Sequence, residues 1–151
     1  MTNLIQLTIQ KATTGDRDII YGMICRLEDF LLDPEGFDNA FNQNVNSPHI
    51  SYFIAFNESK PVGMVSCHIQ PLLHHAALVS EIQEMFVEPE SRSLGVGHIL
   101  MEAVVEHARQ AGAIQMEVTS RATRELAHRF YQREGFAKSH VKLVRYFNQE
   151  S

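Results

Sequence analysis

The sequence predicts a mixed α/β fold, an open sheet covered by helices, and three observations carry that prediction. Strand-like alternation and helix-like periodicity take turns along the chain. An apolar run, Met85-Phe86-Val87, passes through a proline and two closely spaced glycines into an amphipathic helix, the usual layout of a strand–turn–helix unit. The chain has 151 residues, 44% hydrophobic and 21% charged, which suits one globular domain over 1–151. The expected order is β-α-α-β-β-β-α-β-α-β, without repeats, linkers or low-complexity segments.

The elements follow in order. Ile5, Leu7 and Ile9 alternate with Gln6, Thr8 and Gln10, a half-buried strand. Thr14 is the expected N-cap of a helix whose stripe is Ile19, Ile20, Met23, Ile24, Leu27 and Leu31. Asp33-Pro34 opens a second helix with Pro34 at its first position and Phe37, Phe41 and Val45 on one face; Ser47-Pro48 stops it. Residues 50 to 56 and Val62 to Ile69 read as a hairpin about Asn57–Pro61. The chain breaks at Pro71 to His75, and Val79 to Val87 is expected to be one strand. A helix from His98 to Ala111 carries Val96, Leu100, Ala103, Val104 and Ala108 on its apolar side and ends at Gly112. Ile114 to Val118 is a short strand. Thr123 is placed to cap a helix over 124–134, closing at Gly135, and Phe136 to Phe147 has room for a final strand or two.

Composition narrows the function. A net charge of -5 argues against general nucleic-acid binding, which shows as a basic excess. Cys25 and Cys67 lack metal-type spacing and read as reduced, buried thiols. No signal-peptide pattern opens the sequence and no window approaches 18 uninterrupted apolar residues, so a soluble, cytoplasmic protein is expected.

The turn from Val87 to Gly97 carries the strongest functional signal. Glycines at 95 and 97 remove side chains where a helix begins, so free amides and the positive end of the helix dipole can meet an anion. A phosphate group is the first candidate.

Arg92-x-x-Gly95-x-Gly97, after a strand and opening a helix, resembles the Q/R-x-x-G-x-G/A signature of the GNAT acetyltransferases. Val87-x-Pro89, Gly112-Ala113 and Ala127-His-Arg-Phe130-Tyr131-x-x-x-Gly135-Phe136 are similar to that family too, so the resemblance covers essentially the whole chain. Within it, Glu81-Ile-Gln-Glu84, His74-His75, Arg109-Gln-Ala-Gly112-Ala113 and His128-Arg-Phe-Tyr-x-Arg-Glu-Gly-Phe-x-x-Ser-His140 resemble aminoalkylphosphonate N-acetyltransferases. The resemblance implies a mixed sheet of about six to seven strands with about four helices, splayed in the middle to admit CoA. It implies acetyl transfer from acetyl-CoA to a small primary amine in a ternary complex. Met85, Phe86 and Val87 would meet the pantetheine arm, and Arg92, Ser93, Leu94, Gly95, Val96, Gly97 and His98 the pyrophosphate, with Phe130 and Tyr131 also at the cofactor. The Arg92 side chain would be free to help.

The chemistry needs a base, because only a neutral amine attacks a thioester. Glu81 and Glu84 are the candidates; three apart on a regular strand they face opposite ways, unless a bulge re-aims one. Tyr131 stands where the family often places a proton donor for the thiolate, and a phenol with its ordinary pKa near 10 suits that role. Its other reading is a core tyrosine whose hydroxyl bonds a carbonyl. An anionic acceptor calls for cationic neighbours, for which His74, His75, Arg121, Arg124, Arg129 and His140 are candidates. A divalent metal held by histidines, His68 among them, with Glu81 or Glu84 is a further option, but no dedicated ligand spacing points to it. Family members often pair, so a homodimer is expected.

Rival readings are weaker. A dinucleotide-binding oxidoreductase would use Gly95, Gly97 and Glu117, but position 100 is leucine where the third small residue belongs. A P-loop fails because no Gly-Lys-Ser/Thr follows. Another acceptor (polyamine, amino acid or aminoglycoside) and a non-catalytic acyl-CoA sensor remain open.

Overall fold

The computed structural model describes residues 6–148. The chain divides after Val118 into two compact units.

The first unit is built on a six-stranded mixed sheet. Its strands are β1 (Leu7–Lys11), β2 (Ile50–Asn57), β3 (Lys60–Leu72), β4 (Ala77–Ile82), β5 (Met85–Val87) and β6 (Met116–Val118). β3 is central: β2 pairs with one side of it, and β4 and β5 share the other, all antiparallel. β1 lies antiparallel on β2, and β6 lies parallel to β4. The strand count falls in the expected range, and Ile5 of the first expected strand lies outside the described residues.

Alternation along β3 separates two cores. Met64 belongs to a cluster with Tyr52, Ile54 and Phe86 from the sheet, Ile20, Met23 and Ile24 from α1 (Arg17–Glu28) and Phe41 from α2 (Pro34–Val45). Residues of the other parity face α3 (Val96–Gln110), whose Val96, Leu100, Val104 and Ala108 are buried. A Cβ on Gly63 would come within 2.9 Å of the Phe86 carbonyl and 3.1 Å of Leu100, so glycine lets α3 approach the sheet closely.

Helix ends follow the expected chemistry with local shifts. Thr13, not Thr14, begins the first helical segment: its N–H donates to Asp16 Oδ2 at 2.8 Å, and a short 3-10 turn precedes α1. Leu31 lies beyond α1 and is exposed, because Asp29 enters the left-handed region and ends the helix before the apolar stripe does. Asp33 caps α2, accepting from the Gly36 N–H at 2.9 Å, with Pro34 at the start. α3 begins at Val96, two residues earlier than the amphipathic pattern implies. It closes as expected at Gly112, whose N–H reaches the Arg109 carbonyl while that of Ala113 reaches Ala108.

The second unit holds α4 (Glu125–Arg133), a nine-residue helix with Arg124 rather than Thr123 at its cap position. Gly135 N–H donates to the Gln132 carbonyl and Phe136 N–H to that of Tyr131, a Schellman ending. No strand forms among the described residues 136–148, against expectation. A strand needs a partner edge, and 119–148 contains no other strand. Val141, Leu143, Val144, Tyr146 and Phe147 are all exposed.

Candidate active site

The expected strand over Val79–Val87 is two strands, and the break between them makes the site. His68 pairs with Glu81 and Val65 with Met85. Between those pairs β3 has two residues, Ser66 and Cys67, whereas the opposite chain has three, Ile82, Gln83 and Glu84. The extra residue is a bulge, and a one-residue shift inverts everything beyond it. Glu81 shares a sheet face with His68, and Glu84, two before Phe86, shares one with Phe86 and Met64. Both carboxylates therefore lie on the α1–α2 face, although three residues separate them.

Ser66 holds the bulge. Its fully buried hydroxyl oxygen accepts from the N–H groups of Gln83 at 3.1 Å and Glu84 at 2.9 Å, and its own N–H donates to the Glu84 carbonyl at 2.9 Å. Nothing in the residue pattern marks this serine. Only the pairing register shows it, and sequence reasoning missed it.

The two carboxylates differ. Glu81 Oε1 accepts from the side-chain amide of Gln83, whereas Glu84 Oε1 is buried without a hydrogen-bond partner. Tyr52 stands beside Glu84 in the α1–α2 core, with the Asn44 amide donating to its hydroxyl at 2.8 Å. Burial pushes its phenol above the ordinary value; the bond from Asn44 opposes that and the Glu84 charge adds to it. The His68 ring meets the Tyr52 ring edge-on, with centroids 6.5 Å apart. On the opposite face Cys67 is an inert thiol, pushed up to about 11 by burial.

β5 has a free edge. The Glu88 N–H donates to the Val62 carbonyl and the Ser66 N–H to that of Glu84, so residues 84, 86 and 88 turn their backbone groups toward β3. By alternation Met85 and Val87 turn theirs away. β6 pairs with β4 only as far as Ile82–Val118, so the sheet opens beside β5. Arg92 Nε donates to the Val87 carbonyl at 3.1 Å, so its side chain is engaged rather than free.

Pro89–Leu94 forms a 3-10 turn after β5, with Ser93 and Leu94 exposed. Gly95 follows at φ 80, a left-handed conformation that favours glycine, and occupies the N-cap of α3. No side chain caps this helix and no acidic residue lies in its first turn. The leading amides, Gly97 included, lack intrahelical acceptors, and the dipole's positive end is uncompensated there. His98 pairs with Glu102 one turn on, at 2.7 Å.

The remaining candidates lie elsewhere. His74 and His75 sit at the tip of the β3–β4 connection, their rings 4.3 Å apart. That tip is beyond Leu72–Ala77, four pairs past His68–Glu81, or roughly 13 Å along the strand. In the second unit, Tyr131 lies on α4 with Phe130 and Phe136 edge-on at 5.4 and 5.8 Å. Burial pushes its phenol above the ordinary value, and the Arg124 charge works the other way. Arg121 offers its carbonyl to His128, and His140 bonds the Ser139 hydroxyl. Among the described residues no three His, Cys, Asp or Glu side chains gather to hold a metal ion, so the divalent-metal option finds no support. No helix among them is long and apolar enough to cross a membrane.

Known proteins share this architecture. The profile of the acetyltransferase (GNAT) family matches residues 20–136. An aminoalkylphosphonate N-acetyltransferase of Salmonella typhimurium is 40% identical over 137 residues, 91% of this chain and 89% of that protein. Among solved structures, a transcriptional regulator from Bacillus halodurans superposes with a TM-score of 0.85 at 25% identity, over 94% of this chain and 100% of that one. An aminoglycoside N-acetyltransferase in complex with CoA superposes with a TM-score of 0.86, covering 99% of both chains. At 16% identity that likeness speaks to the fold alone.

Proposed function

Because the chain belongs to the acetyltransferase (GNAT) family and is an N-acetyltransferase drawing on acetyl-CoA, we propose that its acceptor is the primary amine of an aminoalkylphosphonate. The relative at 40% identity supports the acceptor class. The observation that carries the chemistry is Glu84: a carboxylate oxygen, buried and unpartnered, at a bulge beside the open edge of β5.

Acetyl-CoA supplies the thioester. The outward backbone groups of Met85 and Val87 pair with its pantetheine arm as an added strand pairs with a sheet edge. The uncapped amides from Gly95 to His98 take the pyrophosphate, and Arg92 exchanges the Val87 carbonyl for phosphate oxygens. Glu84 removes the ammonium proton of the acceptor, and the neutral amine attacks the thioester carbonyl. Glu81, bound to Gln83, shapes the bulge instead. Tyr131 keeps the role that the family resemblance gives it, returning a proton to the departing thiolate; its raised pKa keeps it protonated at working pH. The family match runs across Val118, which supports reading 1–151 as one domain. A second copy covering Val141, Leu143 and Phe147 would account for their exposure; a monomer by light scattering at working concentration would dispose of that dimer.

The deciding experiment follows CoA thiol release with acetyl-CoA and (aminomethyl)phosphonate, polyamines, aminoglycosides or amino acids, with and without EDTA. The phosphonate should give the highest kcat/KM. A higher value for any of the others would replace the proposed acceptor. Tyr131→Phe should lower kcat with little change in the KM for acetyl-CoA, and equal activity would remove it as proton donor.

A further inference from the structure

We propose that His68 is the specificity residue for the acceptor: Glu84 takes the ammonium end of a zwitterionic amine and His68 takes its anionic end. The inference rests on the acetyltransferase reading and names the side chain in the first unit that reads the acceptor's negative charge.

Three observations converge on it. The bulge sets Glu84 and His68 on one sheet face, with Tyr52 edge-on to His68 and within reach of the Glu84 charge. Three buried side-chain polar atoms among the described residues lack a partner, and two of them are Glu84 Oε1 and His68 Nε2. Buried polar groups are nearly always paired, so two orphans beside one tyrosine call for a shared explanation. A carboxylate only accepts hydrogen bonds, whereas an imidazole N–H donates. A molecule carrying an ammonium and an anionic oxygen satisfies both at once, and a polyamine leaves the histidine without an acceptor.

Distance selects His68 over the paired histidines. The amine and phosphonate of the smallest aminoalkylphosphonates are one or two carbons apart, so the groups that hold them must be close neighbours. His68 lies directly across from Glu81, beside the bulge, whereas His74 and His75 lie roughly four residue pairs farther along. Of the arginines on α1, Arg26 is paired with Glu88, and Arg17 with Asp18 and Asp38. Glu84 and His68 are partly exposed as residues, and neither orphan atom holds a bond that a turn toward an incoming acceptor would break.

The test compares (aminoethyl)phosphonate with its neutral dimethyl ester in the wild type, His68→Phe and His68→Gln. Phenylalanine keeps a ring against Tyr52, and glutamine keeps a donor. His68→Phe should raise the KM for the phosphonate roughly 10- to 100-fold, the worth of a charge-assisted hydrogen bond. The KM for acetyl-CoA should stay unchanged, and the KM for the ester, which keeps only a neutral phosphoryl oxygen, should rise far less than that for the phosphonate. His68→Gln should lose less, and it carries the test should the phenylalanine variant melt early. Equal losses with phosphonate and ester would show a structural role and overturn the proposal. Aminoethanesulfonate and β-alanine, with their neutral esters or amides, form a second arm. If the wild type ignores phosphonates but prefers these anionic amines, and His68→Phe erases that preference, the phosphonate acceptor falls and the role of His68 stands. A wild type with no preference for any anionic amine over its neutral counterpart sinks the role of His68.

Discussion

The turn that leads into α3 and the acceptor face on the far side of β5 are made of different material. The turn exposes Arg92, Ser93, Leu94 and Gly95 and offers backbone amides at a helix start. The proposed acceptor face offers the side chains of Tyr52, Ser66, His68 and Glu84, which are partly or wholly buried. A site of amides tolerates many side chains and demands glycine where bulk or a left-handed φ would interfere. A site of side chains depends on register, and here one extra residue decides which groups face each other. Binding of the cofactor and choice of the acceptor can therefore be disturbed separately.

Glu84→Gln should show the largest effect. Removing the base should cost roughly a hundred- to ten-thousand-fold in kcat while the KM for acetyl-CoA changes little. A variant that keeps wild-type kcat would move the chemistry off the bulge. Gly97→Asp should do the reverse. A carboxylate at the start of α3 opposes the pyrophosphate, so the KM for acetyl-CoA should rise roughly tenfold or more with kcat near normal at saturation. An unchanged KM would remove the pyrophosphate from this turn.

Ser66→Ala sharpens the comparison, because it touches the acceptor face only through the backbone. The Gln83 and Glu84 N–H groups lose the oxygen that accepts from both. Leaving such buried donors unpaired costs about 1–3 kcal/mol, read as a lower urea midpoint at constant m. Release of the bulge should also lower kcat, by less than Glu84→Gln does, and spare acetyl-CoA binding. Lost stability with intact kcat would mean that the bulge holds its shape without the serine.

The strand–turn–helix layout was legible in the sequence because it is written in residue types. Glycines at 95 and 97 after Met85-Phe86-Val87, with Arg92 three before the first, tie a strand, a turn and a helix start together in one short stretch. α2 was equally open, with Asp33-Pro34 at its start and phenylalanines four apart. The bulge was not, because Val79–Val87 reads as a continuous strand. The extra residue appears only when β3 is laid against it, and that register is a long-range property. Ser66 was overlooked for the same reason, and His68 was considered only as a metal ligand. The length of Phe136–Phe147 misled in the opposite direction, since room for a strand does not supply the edge it would pair with.

His107 gives the smallest expected effect and a control for both regions, since it faces neither. It lies in the last turn of α3 with its ring 5.0 Å from that of Phe53, on the sheet face opposite Glu84. Burial, and secondly the charge of Lys11, hold its pKa below the ordinary 6.5. As pH falls through 6.5 the unfolded chain takes up this proton before the folded one does, so stability is whole above that value. It declines as pH falls from there through the folded pKa, and the loss then levels off. His107→Gln removes the titration, so the thermal midpoint should fall less steeply between roughly pH 7 and pH 5 than in the wild type. The KM for acetyl-CoA and for the acceptor should both be untouched at neutral pH. A shift in either would show that the α3 face communicates with the sites after all, and the separation between turn and acceptor face would have to be redrawn through α3 and the sheet.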